Sequence, residues 1–458
     1  MHYFIYPNGG HSLMLAHNLE ILGHTYEFLD DFKAGLKIEE NLDKINTIGG
    51  GLVLIACDTT HPKNLILKKQ LIKKVKSLNL IPVDGFKWIM SEILSYLKIE
   101  YHKTAALLHS GMSDGKHLGD IIKYLQNSKT CFVEIFTDYF NYQIRKSSQS
   151  SDDKILLIPF EYLKFLDFKV VAATGNFEKF NKKLMVHPKS IKIMIPHGYT
   201  TPLALLSYYA RKDIHIEEEI KEYQNMAIDY FIVPSRTNYK LFLDMGIDKN
   251  KLVPLGYPSL DLNLKNHKDL KAQKSILIAL YSTKSVDSIV PALRDLLKNG
   301  YKVIFRPKPG QEELDCNQNI LKEFSTNELF KFDTNTRKTS HAKIDDELIS
   351  EICCCVSDYS SLAFTLPLTN LRPCILYYPE HVFGKNFGKH RINKVDYSLA
   401  NSDLHIVAKN SNDIIKAIKN LNLDEFKTKI KSYRDNEVYN LRSSSEAIAN
   451  FISEKLNS

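Results

Sequence analysis

The chain has 458 residues, a formal net charge of +8 and a sequence pI near 8.8, with 44% hydrophobic and 25% charged residues. That length calls for two or three domains, and the composition is that of a globular chain rather than a disordered or fibrous one. The basic balance suits an anionic substrate or an acidic membrane surface, and with no RNA-binding or helix–turn–helix pattern it does not call for nucleic acid.

No apolar run approaches the roughly 20 residues needed to span a bilayer. The opening segment Met1-His2-Tyr3-Phe4-Ile5-Tyr6 lacks the basic start and long apolar core of a signal peptide. The expectation is a cytoplasmic protein, in contact with the inner face of the cell membrane at its periphery if at all. Seven cysteines include Cys353, Cys354 and Cys355 side by side in a strand-like run. Neighbours along a strand point to opposite faces, so the three cannot converge on one metal. They read as reduced core residues.

Along the chain, residues 3–6 read as a strand, Pro7-Asn8-Gly9-Gly10-His11 as a turn, and Ser12 as the cap of a helix over 13–22. Strands at 26–29 and 52–57, a helix over 65–78, a strand at 80–83 and an amphipathic helix over 88–97 complete a small α/β unit. Its Gly-Gly loop is no GxGxxG fingerprint and reads as a tight turn. A second α/β series begins with a strand at 105–109, a polar stretch at 110–115 and a helix over 117–125. Strands follow at 131–136, 155–158, 169–173 and 191–195, with a surface loop at 147–154. Next come Pro196-His197-Gly198-Tyr199-Thr200-Thr201-Pro202, a helix from residue 203, a strand at 230–233, Pro234-Ser235 and a helix over 237–245. A strand at 252–255 leads into Gly256-Tyr257-Pro258-Ser259-Leu260-Asp261, and the polar run 263–274 reads as an interdomain linker.

A third series opens with a strand at 275–280, the turn Tyr281-Ser282-Thr283-Lys284, and a helix over 289–297 stopped at Gly300. A strand at 303–305 feeds Arg306-Pro307-Lys308-Pro309-Gly310, and 332–343 reads as loop. The apolar run 352–356 enters Ser357-Asp358-Tyr359-Ser360-Ser361, followed by an apolar segment at 362–366 and a strand at 374–378. Pro367 requires any helix there to be short, kinked or begun afresh. Helical periodicity from residue 413 predicts two or three C-terminal helices.

Four polar motifs thus follow strands and precede helices. Ligands of open α/β sheets bind at the carboxyl ends of the strands, so these motifs are candidate walls of one cleft. An imidazole such as His197 can take a proton from an attacking hydroxyl, or can simply be hydrogen-bonded into its loop. Arg306 and Lys308 alternate and so share a face, which suits a diphosphate, although a solvated basic loop has the same pattern. Thr283 can touch phosphate or base, or belong to a plain helix cap. Ser360 and Ser361 stand where a helix begins, and unpaired N–H groups with a positive dipole end seat phosphate there. The same serines are also ordinary caps. No Asp-x-Asp pair, zinc-type spacing, P-loop or GxSxG elbow occurs, so neither a metal nor a cofactor is expected.

Taken in order, the motifs around His197, Gly256, Arg306 and Ser357 resemble those of the CDP-glycerol glycerophosphotransferases, the teichoic acid and capsule polymerases. The resemblance covers about residues 105–378 and implies a GT-B architecture of two Rossmann-like domains facing a cleft. An accessory α/β domain at 1–100 would precede an acceptor-side domain at 101–262 and a nucleotide-donor domain at 263–400, with helices at 401–458. It implies transfer of a polyol phosphate, glycerol phosphate or similar, from a CDP-activated donor. The acceptor would be a hydroxyl of a cell-surface polysaccharide or its lipid-linked precursor, and CMP would be released. His197 would be the general base. Arg306, Lys308, Ser360, Ser361, Tyr359 and Thr283 would surround the donor. Asp358 would order that loop, since carboxylate and phosphate repel. Gly198, Gly256, Asp261 and Ser235 would support the site. Two positions depart from the pattern: Lys308 stands where the family has a second histidine, and Ser259 where it has an arginine. They leave open a GT-B glycosyltransferase using a nucleotide-activated sugar for capsule or lipopolysaccharide synthesis, or a non-catalytic polymer binder.

Overall fold

Short aliphatic runs alternate with helical stretches throughout, and strands separated by helices pair in parallel. The computed structural model describes residues 1–57, 62–109, 114–137, 142, 143, 145, 154–174, 186–200, 216–268, 271–308, 310–333 and 346–458. The chain divides into two units, the first made of Met1–Met112, Asn127–Ile193 and Ile452–Ser458, the second of Ser113–Gln126 and Met194–Phe451.

In the first unit, β1 (His2–Tyr6), β2 (Thr25–Phe28), β3 (Leu52–Ile55) and β4 (Ile81–Asp84) form a parallel sheet ordered β2-β1-β3-β4. Helices α1 (Gly10–Ile21), α2 (Leu42–Gly49), α3 (Pro62–Ser77) and α4 (Gly85–Tyr96) connect or follow these strands. Phe4, Val53, Ile55 and Val75 pack into one of its cores. Ser12 does not cap α1. The cap is Gly9, and Ser12 accepts from the Gly9 N–H at 2.8 Å from the third helical position. Asp84 ends β4 and caps α4, and its carboxylate also takes Lys68 Nζ at 2.7 Å. A further parallel set comprises β5 (Ala105–His109), β6 (Phe132–Phe136), β7 (Ile155–Leu157) and β8 (Val170–Thr174), with β5 between β6 and β8, and β9 (Ile191–Ile195) lies beside β8. Their near-continuous apolar runs are what a sheet covered on both faces requires. Glu134 is the exception in β6, 1% exposed, with His109 Nε2 at 3.1 Å and Arg145 Nη2 at 2.7 Å. Burial pushes its carboxyl up, but the two bases outweigh burial and hold it below the usual carboxylate range.

The second unit opens with α5 (Asp114–Leu118) and α6 (Ile121–Asn127) in place of the single helix expected over 117–125. Gly119 breaks it, with φ of +53°. Then come α7 (Ile216–Gln224), β10 (Tyr230–Ile232), α8 (Arg236–Asp244), β11 (Leu252–Val253) and α9 (Pro258–Asn266). The expected linker therefore starts only after Asn266. Pro258 begins α9, and the buried pair Leu260 and Leu264, one turn apart, extends it through the polar residues.

The largest sheet of this unit uses β12 (Ser275–Ala279), β13 (Lys302–Phe305), β14 (Phe330–Phe332), β15 (Cys354–Ser357) and β16 (Cys374–Tyr377). The strands β17 (Lys389–Ile392) and β18 (Val395–Ser398) form a separate antiparallel hairpin, and β19 (His405–Ala408) joins the sheet edge. The order is β14-β13-β12-β15-β16-β19, all parallel. The chain runs outward from β12 to β14, then returns to β15, so the switch point lies between β12 and β15. Helices α10 (Thr283–Lys298), α11 (Asp315–Phe324), α12 (Asp346–Glu351), α13 (Leu362–Asn370) and α14 (Glu380–Phe383) accompany it, and α15 (Ser411–Lys419), α16 (Leu423–Glu437) and α17 (Ser444–Asn457) close the chain. Sequence reading missed β14, the hairpin and β19. The hairpin turns through Asn393 and Lys394, both left-handed at φ of 48° and 66°, and Lys at the second position hides the turn.

Pro367 lies inside α13. Having no N–H, it leaves the Ala363 carbonyl, four residues earlier, without its helical donor. His405 Nε2 supplies one at 3.0 Å, while His405 Nδ1 accepts from Asn401 N at 2.9 Å. That pair of bonds requires a neutral ring, and burial pushes the imidazole down to about 4. Cys353, Cys354, Cys355, Cys374 and Cys57 are buried free thiols, Cys316 is half-buried and Cys131 is exposed. Among the described residues, no helix is long and apolar enough to cross a membrane, and no three His, Cys, Asp or Glu side chains cluster to hold a metal.

Candidate active site

Ligands of parallel sheets collect at the switch point, beyond the carboxyl ends of the strands. Here that place is the mouth of β12, β13 and β15, and a cavity of about 190 Å³ opens there. Ser357 ends β15 and donates from Oγ to the Ala279 carbonyl at 2.7 Å, tying it to β12. Asp358 is wholly buried. Its carboxylate accepts from the Tyr281 N–H at 2.9 and 3.0 Å and from the Ser282 N–H at 2.8 Å. It faces backbone donors ahead of α10 rather than the cavity. Tyr359 is buried as well, its ring 4.9 Å from that of Tyr281 and 5.9 Å from that of Phe383. Ser360 and Ser361 then line the cavity at the start of α13, and Ser360 Oγ accepts from Leu362 N at 3.3 Å.

The β13 mouth contributes the cations. Arg306 and Lys308 both line the cavity. Arg306 is buried, with Nη1 2.6 Å from Asp333 Oδ2, so much of its charge is balanced within the protein. Lys308 Nζ stands 3.6 Å from the centre of the Tyr281 ring, whose face attracts a cation and fixes the ammonium at the rim. Thr283 is an exposed residue of the first turn of α10 and is not among the residues lining the cavity.

The opposite wall comes from α5 and the start of α9, with Lys116, His117, Tyr257 and Ser259. His117 Nδ1 lies 2.7 Å from Tyr257 Oη. Burial pushes the Tyr257 phenol up, so it stays protonated. Gly119 makes this approach possible, since a Cβ there would come 2.6 Å from the Pro258 carbonyl oxygen. His197 is half-buried and does not line the cavity, but its ring centre is 4.1 Å from that of His117. Its loop is anchored one residue beyond the buried Gly198: Asn238 Nδ2 donates to the Tyr199 carbonyl at 2.7 Å and to Ser235 Oγ at 2.9 Å. Ser235 also caps α8. Gly256 and Asp261 face away from the cavity. Gly256 has φ of +89°, and a Cβ there would come 2.2 Å from the Tyr439 carbonyl oxygen. Asp261 accepts from Arg442 N at 2.7 Å and Ser445 N at 3.1 Å. Thr201, Pro202, Pro309, the helix expected from residue 203 and most of the expected loop at 332–343 lie outside the described residues.

Sequence reasoning missed His117 and Lys116. The one available signal was the polar, glycine-bearing stretch ahead of them, which follows a strand as the other motifs do.

A family model described as CDP-Glycerol:Poly(glycerophosphate) glycerophosphotransferase matches residues 118–454. No curated protein matches the chain by sequence. Among solved structures, the wall teichoic acid polymerase TagF soaked with CDPG is similar at a TM-score of 0.51 and 16% identity, over 87% of this chain and 98% of that one. The S. aureus MnaA–UDP structure gives a TM-score of 0.54 at 11% identity, over 78% and 97%. The UDP-GlcNAc 2-epimerase from Neisseria meningitidis bound to UDP-GlcNAc gives 0.52 at 11%, over 77% and 100%. At such identities the likeness is one of fold, an α/β fold of the GT-B type.

Proposed function

The chain belongs to the CDP-glycerol:poly(glycerophosphate) glycerophosphotransferase family, enzymes that move glycerophosphate from CDP-glycerol to a polymer acceptor, and we propose how its own residues share that work. The reading rests on one observation: the start of α13, with Ser360 and Ser361, shares a cavity with Lys308 and Arg306 at the switch point. The donor diphosphate sits against the helix N-terminus and the serine hydroxyls, with Lys308 balancing its charge. Asp358 shapes the wall by holding the backbone of Tyr281 and Ser282. The acceptor hydroxyl oxygen bonds to the glycerol-bearing phosphorus, the bond from that phosphorus to the bridging oxygen breaks, and CMP leaves with the electron pair. The hydroxyl proton passes to His197. Such transfers need mainly positioning and charge stabilisation. In this reading residues 101–262 serve the acceptor and 263–400 the donor.

The test follows CMP release from CDP-glycerol with a polymer acceptor. His197→Ala is expected to slow it by about a thousandfold. Release at the wild-type rate would remove His197 as the base. Ser259 gives one specific reason to hold a second reading, since it lines the cavity where the family has an arginine. A glycosyltransferase would be stabilised by UDP or GDP in a thermal-shift panel, the phosphotransferase by CDP or CMP.

We place the enzyme in the cytoplasm, against the inner membrane face, with capsule or teichoic-type polymer as its product. Helix α3 supports that seat: it carries the exposed Lys63, Lys69, Lys73 and Lys76 and no acidic residue. Leu65, Ile66 and Leu67 on it are exposed, and Phe32 is 96% exposed on a loop held to α3 by Lys74 and Asp31 at 2.6 Å. Exposed aliphatics beside lysines suit an anionic bilayer. Sedimentation with anionic vesicles, lost in Ile66→Asp, checks it.

A further inference from the structure

The family match begins at residue 118, and His117 lies just outside it and outside every motif singled out from the sequence. Nevertheless His117 lines the cavity, is 2% exposed, and is gripped by Tyr257 Oη at 2.7 Å. Its placement is built from several sides. Gly119 lets the turn close on Pro258, and Asp120 pairs with Lys265 of α9 at 2.8 Å. Facing the same cavity is Lys308, at the position where the resembled family has its second histidine. A lysine supplies charge, but an imidazole also supplies a directional N–H and a proton that exchanges near neutrality. The cavity thus has the lysine from one wall and an imidazole from another.

We infer that His117 is the second imidazole of this site, replacing the histidine absent at position 308 and donating a hydrogen bond to the phosphoryl oxygens of the CDP-activated donor. Tyr257 fixes the plane of its ring, and the neighbouring His197 ring backs it at 4.1 Å. The inference rests on the reading of the cavity as the donor site.

The experiment measures kcat and KM for CMP release from CDP-glycerol by wild type, H117Q, K308H and the double variant H117Q/K308H. H117Q is expected to lower kcat/KM by about a hundredfold, as removal of a donor to developing phosphoryl charge does. Restoring a histidine at position 308 is expected to recover at least about tenfold of that loss in the double variant, a rescue that a purely structural role for His117 would not give. H117Q within about twofold of wild type, or a double variant no better than H117Q, overturns the inference. A second measurement reads the ring directly. In the wild-type protein, CDP-glycerol is expected to shift the His117 imidazole resonances in an NMR spectrum, assigned by their loss in H117Q, and resonances unmoved at saturating CDP-glycerol overturn the inference. Failure of the parent reading looks different: wild type then neither binds CDP nor releases CMP, and both fall together.

Discussion

Two helix starts on neighbouring strands of one sheet look alike in sequence and differ in structure. Both α10, after β12, and α13, after β15, begin with a tyrosine and hydroxyl residues at a strand end, and both are places where an anion can sit. Ahead of α10 an anion already sits, the Asp358 carboxylate on the N–H groups of Tyr281 and Ser282. At α13, among the described residues, no carboxylate is bonded to the helix start in that way; instead Ser360 and Ser361 line a cavity that also holds Lys308. The start of α17 repeats the α10 solution, with Asp261 on Arg442 and Ser445. A helix N-terminus is therefore a ligand seat only where the protein has not filled it from within, and an aspartate from another segment is what fills it.

The sharpest way to break this contrast is to fill the third start. Ser361→Asp puts a carboxylate at the start of α13, and CMP release is expected to fall by about a thousandfold while the protein keeps its melting temperature. Wild-type activity in that variant would mean that the donor does not use α13. The second effect tests the tether of the same helix to β19. The folded-state imidazole of His405 is held down to about 4, so between pH 6.5 and 4 the unfolded chain takes up a proton that the folded chain refuses. Stability is therefore expected to fall as pH falls through that window, by up to about 3 kcal/mol, with no further contribution from this group above it. Urea unfolding across pH measures it, and His405→Gln, which keeps a donor for Ala363, should flatten the slope. Third, Asp358→Asn turns an amide N–H against backbone N–H groups and is expected to destabilise by about 2 kcal/mol in urea. The smallest effect sharpens the comparison from the other side. Thr283→Ala, at the filled start, is expected to leave kcat/KM within about twofold of wild type, and a larger loss would bring α10 back into the site.

The strands most legible in the sequence were those buried on both faces. Ala105–His109 and Ile191–Ile195 were placed to the residue, because Ala105–Leu108 is an unbroken apolar run and Ile191–Ile195 is broken only by Lys192. β14 is three residues, Phe-Lys-Phe, too short for any period to show. Within the candidate site, what could be read were residues next to strand ends, since chain order alone puts them at the sheet edge. The Gly256–Asp261 motif divides: Tyr257 and Ser259 face the cavity while Gly256 and Asp261 hold the segment from Tyr439 to Ser445. Alternation along a loop does not reveal that division. His117 was invisible because its partner lies 140 positions away, and because the glycine that aims it reads as an ordinary helix interior.

The seven thiols draw one more consequence from this packing. Only Cys131 is exposed, while Cys353, Cys354 and Cys355 are sealed in the central sheet beside Cys374. A thiol reagent added to the folded enzyme should therefore meet Cys131 fastest and the half-buried Cys316 next, and the sealed sites only as the packing around them opens. The rate at which labels arrive on Cys353, Cys354, Cys355 and Cys374, told apart from the other thiols by peptide mass, is then a clock for the opening of the sheet that carries the candidate site, without any engineered probe.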